Sequence, residues 1–180
     1  PADRVTVIPH VVPDGALHRV EGYDADRIAM VARLHSKKRV KEAVRALRLV
    51  VDARPSARLD VYGFGYDDAY EHELRELVRS LGLDDHVRLH GFVPVEPGRT
   101  PYDGACVTWL TSASEGFGLS LLESMARGVP VVSFDTPYGP AELVGDGQGG
   151  VVVPFGDIEA LARHTLAVMD DEGLRERLSA

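Results

Sequence analysis

Two periods of apolar residues run along this chain, one typical of helices and one typical of strands. Four stretches repeat apolar positions every three or four residues, as an amphipathic helix does. These predicted helices are 38–53, ended by Pro55; 68–81, ended by Gly82; 158–169, capped by Asp157; and a last piece from Gly173 onward. Runs rich in Val, Ile and Leu predict strands. These runs cover 5–9, 27–34, 57–62, 87–93, 106–111, 129–134 and 149–154.

The alternation of strands with helices predicts an α/β fold with a doubly wound, Rossmann-like parallel sheet. A helix is also predicted between the strands at 106–111 and 129–134, and a short helix is predicted at 101–105. Residues 1–26 are assigned to a first strand and a connection that contains Pro, Gly and Asp, in which Asp24-Ala25-Asp26 is a solvated turn. Residues 27–180 form the main domain. Ligands of such folds bind at the carboxyl ends of the strands, where the polar motifs of this chain lie.

The composition is that of one soluble domain of ordinary size. Hydrophobic residues make up 44% of the 180 residues and charged residues 27%. No apolar run approaches the roughly 20 residues that span a bilayer, and no signal peptide is recognisable at Pro1. The start without Met predicts a boundary inside a longer protein. The net charge of −8 argues against nucleic-acid binding, which needs a basic surface.

The metal-binding and thiol residues change this picture little. The seven histidines are scattered without the spacing of metal ligands, so no metal site is predicted. The one cysteine, Cys106, lies in an apolar run. It predicts a small buried side chain, as expected in a reducing compartment.

The most informative stretch joins a strand, a glycine loop, a helix and a second strand between 106 and 134. The loop Gly116-Phe117-Gly118 lies between Glu115 and Glu123, which are roughly 8–12 Å apart on helical geometry. This arrangement points unpaired backbone amides at an anion, usually a phosphate. The alternative is an unoccupied turn, in which a carboxylate only complements the helix dipole.

A second polar stretch follows the strand at 27–34. Arg33 and Lys38 are two cations five residues apart at the carboxyl end of this strand, where they could bind a diphosphate between them. The alternative is that 37–39 is a solvated basic helix start. Basic residues oppose the dipole at a helix N-terminus, so an anion there would compensate them.

Three more stretches lie at predicted strand ends. Gly63 and Gly65 begin a dinucleotide-type pattern, but Asp68 stands where its third glycine is required, which argues against NAD. For His90, taken alone, a hydrogen-bonded structural histidine is the favoured interpretation. Residues 138–144 fit an ordinary turn followed by a helix cap.

In combination, these motifs resemble the signature of retaining GT-B glycosyltransferases of glycosyltransferase family 4. The resemblance runs from Val7 to Ala162, and its core motifs are Arg33-Leu34-x3-Lys38, His90-Gly91-Phe92 and Glu115-x7-Glu123 with Gly116-Phe117-Gly118 inside. Two further motifs resemble those of the poly(glycerol-phosphate) α-glucosyltransferase-like subgroup: Tyr138-Gly139-Pro140-x-Glu142 and Lys38-Arg39. Ala32 stands where many members have Gly, and Gly149-Gly150 where the subgroup has Asn-Gly.

The resemblance implies that residues 27–180 are the nucleotide-sugar-binding domain, the C-terminal half of a GT-B enzyme. It implies that residues 1–26, a strand and a connection, include the interdomain connection. It implies catalytic roles for Arg33 and Lys38 at the diphosphate and for Glu115 at the donor sugar. It also implies that Glu123 holds the ribose hydroxyls. The remaining implied donor-binding residues are Gly65, then His90, Gly91 and Phe92 at the base edge, and Gly116, Phe117, Gly118 and Leu119 at the diphosphate.

The same resemblance implies a UDP-sugar donor, UDP-glucose or UDP-N-acetylglucosamine, and retaining transfer to an acceptor hydroxyl without metal or cofactor. The acceptor would be a polymer, a protein or a lipid-linked sugar, held by an N-terminal domain outside this chain. The full-length enzyme would act in the cytoplasm, with peripheral membrane association at most. Two alternatives stay open: a non-catalytic nucleotide-sugar binding module, and a GT-B-like UDP-sugar epimerase.

Overall fold

The computed structural model describes residues 22–65, 67–94, 100–145 and 147–179. The predicted strand at 5–9 and most of the predicted connection up to residue 26 lie outside these residues.

Within the described residues, six parallel strands form one sheet in the order β3-β2-β1-β4-β5-β6. The strands are β1 Asp24–Val31, β2 Arg58–Tyr62, β3 Val87–Gly91, β4 Ala105–Leu110, β5 Val131–Phe134 and β6 Gly150–Val153. In this doubly wound order, successive strands are added to one side of β1 up to β3 and to its other side from β4 onward. The order confirms the predicted Rossmann-like fold. The crevice at the reversal point is where such sheets bind ligands.

Helices cover both faces of the sheet. They are α1 Val40–Ala53, α2 Asp68–Ser80, α3 Leu119–Ala126, α4 Pro140–Val144, α5 Ile158–Asp170 and α6 Glu172–Leu178. The larger core packs α1, α2 and α5 against one face, around side chains such as Leu47, Leu74 and Leu161. On the other face Leu121 of α3 packs against Leu110 and Val131 of the sheet. The four predicted helices at 38–53, 68–81, 158–169 and from 173 onward are confirmed, as is the helix between the strands at 106–111 and 129–134. The predicted strands from residue 27 onward are confirmed as well, with ends displaced by a few residues.

Two assignments near the starts of the central strands β1 and β4 were wrong. Strand β1 begins at Asp24, so the aspartates assigned to a solvated turn lie in the strand itself. Arg58 donates to Asp24 at 2.5 Å and Arg54 to Asp26 at 2.5 Å, and these ion pairs balance charges that a strand otherwise disfavours. Residues 101–104, assigned with Ala105 to a short helix, form a turn that leads into β4.

Two buried side-chain hydrogen bonds fix helices on opposite faces of the sheet. The indole Nε1 of Trp109 donates to Thr165 Oγ1 at 2.7 Å, which fixes α5 against β4. Ser124 Oγ donates to Thr108 Oγ1 at 2.7 Å and so fixes α3 on the opposite face. Cys106 is fully buried, as predicted, and burial raises the pKa of its thiol to about 11. In the part of the chain described here, no helix is long and apolar enough to cross a membrane.

Candidate functional site

The loops that follow β1 and β4 are joined at the point where the sheet reverses. The amide of Ala113 donates to Lys37 O at 2.8 Å, and Thr111 Oγ1 donates to Lys38 O at 2.9 Å. Arg39 adopts a left-handed conformation at φ 51° between a 3₁₀ turn and α1. The backbone of the Lys38 segment is thereby held against the end of β4, 73 residues away in sequence.

A cleft of about 720 Å³ opens at this junction. Most of the residues that the sequence predicted for the site line it: Arg33, Lys38, Phe92, Glu115, Gly116, Phe117, Gly118 and Leu119. The structure therefore brings the two cationic positions, the glycine loop and one of the two carboxylates together. Gly65 lines a neighbouring cleft of about 400 Å³ that shares Arg33 and Lys38 with the first.

Lys38 and Glu115 form an ion pair inside the cleft. The ammonium Nζ of Lys38 donates to Glu115 Oε1 at 2.7 Å, and the two side chains are 25% and 12% exposed. An ammonium group has three donors, so two remain for another acceptor. Partial burial weakens the screening by water and salt, which makes this pair stronger than an exposed one.

Arg33 contributes an unengaged cation to the same cleft. Its side chain is exposed, and within the described parts of the chain it has no hydrogen-bond or ion-pair partner. A guanidinium group without a partner is free to bind a planar or tetrahedral anion with two of its donors.

Helix α3 points its N-terminus into the cleft. Its N-cap, Gly118, has a φ of 91°, a conformation that glycine adopts without strain. No side chain caps the first amides, and the first turn carries no acidic residue. Free amides and the positive end of the helix dipole therefore favour an anion at this position, beside Arg33 and Lys38.

Glu123 lies one turn further along α3 and outside the lining of the cleft. Its Oε2 accepts a hydrogen bond of 2.9 Å from the hydroxyl of Tyr102, a ring that is 2% exposed. Ser120, three residues earlier on the same helix face, does line the cleft. The sequence did not identify Tyr102, although a tyrosine placed before an apolar strand needs a partner for its hydroxyl once it is buried.

His90 is engaged by its side chain, as the structural interpretation predicted. Its Nε2 is 2.8 Å from Asp60 Oδ1, and its ring stacks on Tyr62 at a centroid distance of 4.3 Å. Asp60 also accepts from Arg27 at 2.7 Å. Burial acts to raise the pKa of Asp60, but the bonds from His90 and Arg27 outweigh it and hold that pKa below its usual range.

The next two residues leave β3 for the rim of the cleft. Gly91 has a φ of 68° and Phe92 is 70% exposed. The rings of Phe92 and Phe64 pack edge to face, with their centroids 5.9 Å apart. The backbone of 90–92 therefore ends beside the cleft, with an exposed aromatic pair next to it.

Gly63 allows the ends of β1 and β2 to approach each other. Its φ is 139°, and a Cβ atom there would lie 2.1 Å from the carbonyl oxygen of Ala32. A Cβ at Gly65 would lie 2.5 Å from Leu34 O. Both glycines are required by close backbone packing, whatever the ligand.

Within the described residues, no group of three or more His, Cys, Asp or Glu side chains is placed to hold a metal ion. The predicted metal-free site stays a prediction.

Comparison with known proteins gives one family match over most of the chain. The model of the family described as "Glycosyl transferases group 1" matches residues 20–180. The exopolysaccharide phosphotransferase SCO2592 of Streptomyces coelicolor is 36% identical over 96% of this chain and 18% of its own length. The poly(glycerol-phosphate) alpha-glucosyltransferase of Bacillus subtilis is 35% identical over 85% of this chain and 22% of its own. The chain thus spans about a fifth of the length of these relatives.

Solved structures share the fold. The pneumococcal O-GlcNAc transferase GtfA, crystallised with UDP and GlcNAc, superposes with a TM-score of 0.78 at 27% identity, over 91% of this chain and 32% of its own. The C-terminal domain of a glycosyl transferase group 1 family protein from Francisella tularensis superposes with a TM-score of 0.82 at 22% identity. That match covers 94% of this chain and 93% of the Francisella domain.

Proposed function

The chain belongs to the glycosyl transferases group 1 family, and we propose on this basis that it binds the UDP-sugar donor of a retaining enzyme of glycosyltransferase family 4. Its fold is that of the C-terminal domains of GT-B glycosyltransferases. One observation carries the proposal. Arg33, Lys38 and the uncapped start of α3 converge on one cleft in a chain whose net charge is −8.

The diphosphate would lie between the two cations and α3. Arg33 supplies a planar guanidinium group that can donate two parallel hydrogen bonds. Lys38 supplies the two N–H donors that its bond to Glu115 leaves available, and the loop at 116–119 supplies backbone amides. Negative charge grows on the diphosphate as the bond between it and the sugar breaks. Donors that are already in place stabilise this charge without reorganising, which lowers the barrier.

The remaining groups would hold the two ends of the donor. Glu115, beside Lys38, would face the sugar, and Glu123 would accept hydrogen bonds from the ribose hydroxyls. The backbone of 90–92 would contact the nucleobase edge, because the side chain of His90 is already bound to Asp60. In this arrangement the new glycosidic bond forms on the face from which the diphosphate leaves.

UDP-glucose or UDP-N-acetylglucosamine is the proposed donor. The Bacillus relative is named as a glucosyltransferase acting on poly(glycerol-phosphate), and the pneumococcal structure contains UDP with GlcNAc. We propose no metal and no further cofactor. The acceptor, a cell-wall polymer, a glycoprotein or a lipid-linked sugar, would be held by a second domain that residues 1–26 connect to this one. The proposed location is the cytoplasm, with peripheral membrane association of the full-length enzyme.

Product analysis with a UDP-sugar labelled in the sugar tests this function. The protein that contains this domain together with its acceptor domain should pass the label to an acceptor with the anomeric configuration retained. Recovery of the donor unchanged would identify a binding module, and recovery of UDP with an altered sugar would identify an epimerase. Inversion at the anomeric carbon would contradict the retaining mechanism.

We propose transfer of a phosphosugar as a second candidate, because the Streptomyces relative is named an exopolysaccharide phosphotransferase. The 36% identity over 174 residues is the observation in its favour. A glycosyl transfer breaks the bond between sugar and diphosphate and releases UDP. Transfer of a phosphosugar from the same donor breaks the bond between the two phosphates and releases UMP. Chromatography of the released nucleotide therefore separates the two functions.

A further inference from the structure

A buried tyrosine lies behind the carboxylate that the proposed function assigns to the ribose. Tyr102 is 2% exposed, and its hydroxyl donates to Glu123 Oε2 at 2.9 Å. The rest of Glu123 is exposed on α3. An exposed glutamate samples several rotamers, and fixing one of them costs entropy when a ligand binds. A single bond from a buried donor removes part of that freedom in advance.

The turn that carries Tyr102 is itself anchored on two sides. Arg27 of β1 donates to Pro101 O at 2.8 Å and to Asp103 O at 2.7 Å. Arg127, just after α3, donates to the Asp103 carboxylate at 2.7 Å. Both arginines are less than a tenth exposed. The Tyr102 hydroxyl therefore has a fixed position relative to α3.

The bond leaves most of the carboxylate available. A carboxylate has about four acceptor positions, and Tyr102 uses one of them. Burial, followed by the adjacent charge of Glu123, raises the pKa of the Tyr102 hydroxyl far above its usual range. The phenol therefore stays protonated and keeps donating wherever the protein is folded.

We propose that Tyr102 is a positioning residue, whose hydroxyl holds the Glu123 carboxylate in the orientation that accepts the ribose hydroxyls of the donor. This proposal rests on the proposed function, since it requires that Glu123 contacts the ribose. Arg27 also connects the turn that carries Tyr102 to His90, because Arg27 and His90 both bind the carboxylate of Asp60.

The test compares UDP with 2′,3′-dideoxy-UDP, which lacks both ribose hydroxyls, by titration calorimetry on this chain. Hydrogen bonds to a charged group predict that the unaltered chain prefers UDP by at least about tenfold. Glu123→Gln should remove most of this preference. Tyr102→Phe keeps the ring and the packing and should reduce the preference to about threefold, with the affinity for the dideoxy nucleotide unchanged.

Tyr70→Phe is the matched control. It removes a hydroxyl from another buried tyrosine, on α2 and outside the lining of the cleft, and should leave the preference unchanged. Thermal unfolding verifies that each variant is folded.

Three results would overturn the proposal in distinguishable ways. An unchanged preference in Tyr102→Phe means that the tyrosine does not position Glu123. An equal loss of affinity for both nucleotides means that its role is only structural. In both cases the proposed function stands. If the unaltered chain binds UDP without preferring it to the dideoxy nucleotide, the ribose role of Glu123 fails as well.

Discussion

Lys38 Nζ lies 2.7 Å from Glu115 Oε1, although the two residues are 77 positions apart in the chain. The cation assigned to the diphosphate and the carboxylate assigned to the sugar thus form one pair. Glu115 orients Lys38 before any ligand arrives, and Lys38 holds the carboxylate in the cleft. A change at either residue is expected to affect the other.

Glu115→Gln separates binding from transfer. The amide oxygen can still accept from Lys38, and loss of a negative charge near the diphosphate removes a repulsion. UDP affinity should therefore be unchanged or slightly higher. The transfer rate of the enzyme with its acceptor domain should fall at least about tenfold, because the contact to the sugar has lost its charge. Calorimetry and initial rates measure the two effects, and a large loss of UDP affinity would show that Glu115 acts at the nucleotide instead.

Arg33→Ala should weaken UDP binding at least about tenfold, since charge-assisted bonds to phosphate contribute about 1.5–3 kcal/mol. The melting temperature should change little, because Arg33 is exposed and unpaired within the described residues. Arg163→Ala, an exposed arginine on α5, is the control with the same change of charge. Equal UDP affinity in both variants would show that Arg33 does not contact the nucleotide.

The parts of the fold with a regular local pattern were predictable from sequence. Helix α1 was, because its apolar face repeats through Leu47 and Pro55 ends it. The aspartates at 24 and 26 were misassigned, because the arginines that balance them come from distant positions. The motifs at strand ends predicted that Arg33 and the glycine loop at 116–118 lie in one site, and both line the same cleft. The pairing of Lys38 with Glu115, and of Tyr102 with Glu123, depends on which strands are neighbours, which local periodicity does not determine.

Asp60 makes the stability of the protein depend on pH. Its pKa lies below the usual value in the folded state, so its contribution is complete above about pH 4 and is lost as the pH falls further. Asp60→Asn should therefore lower stability at pH 7 and flatten the loss of stability as the pH falls below about 4. Urea unfolding at several pH values measures this, with exposed Asp85→Asn as the control. Parallel pH profiles of wild type and Asp60→Asn would contradict the prediction.

Gly63→Ala should destabilise the fold by at least about 2 kcal/mol, from backbone strain together with a clash. The added methyl group would lie 2.1 Å from Ala32 O at a φ of 139°. Gly116→Ala is the matched control, because a Cβ atom there meets nothing within 4 Å. Denaturant unfolding compares the two variants. A stable Gly63→Ala variant would mean that β1 and β2 can separate at this edge of the cleft.

The chain by itself should bind donor without transferring sugar. The cations, the glycine loop and Glu115 line the cleft of this chain, and Glu123 lies on α3 beside it. Transfer, in contrast, requires an acceptor held in place and water excluded by a second domain. Incubation of the chain with labelled UDP-sugar and a panel of acceptors should give no labelled product. Transfer by this chain alone would show that the catalytic site is complete within it.

Titration calorimetry of this chain with UDP, ADP and GDP tests the central claim most directly. All three nucleotides carry the same diphosphate, so the comparison also tests the proposed contact between the backbone of 90–92 and the nucleobase. We predict one UDP per chain, bound more tightly than ADP or GDP, with the heat of binding strongly reduced in Arg33→Ala. A folded chain that binds none of the three nucleotides would contradict the assignment of this cleft as a nucleotide-sugar site.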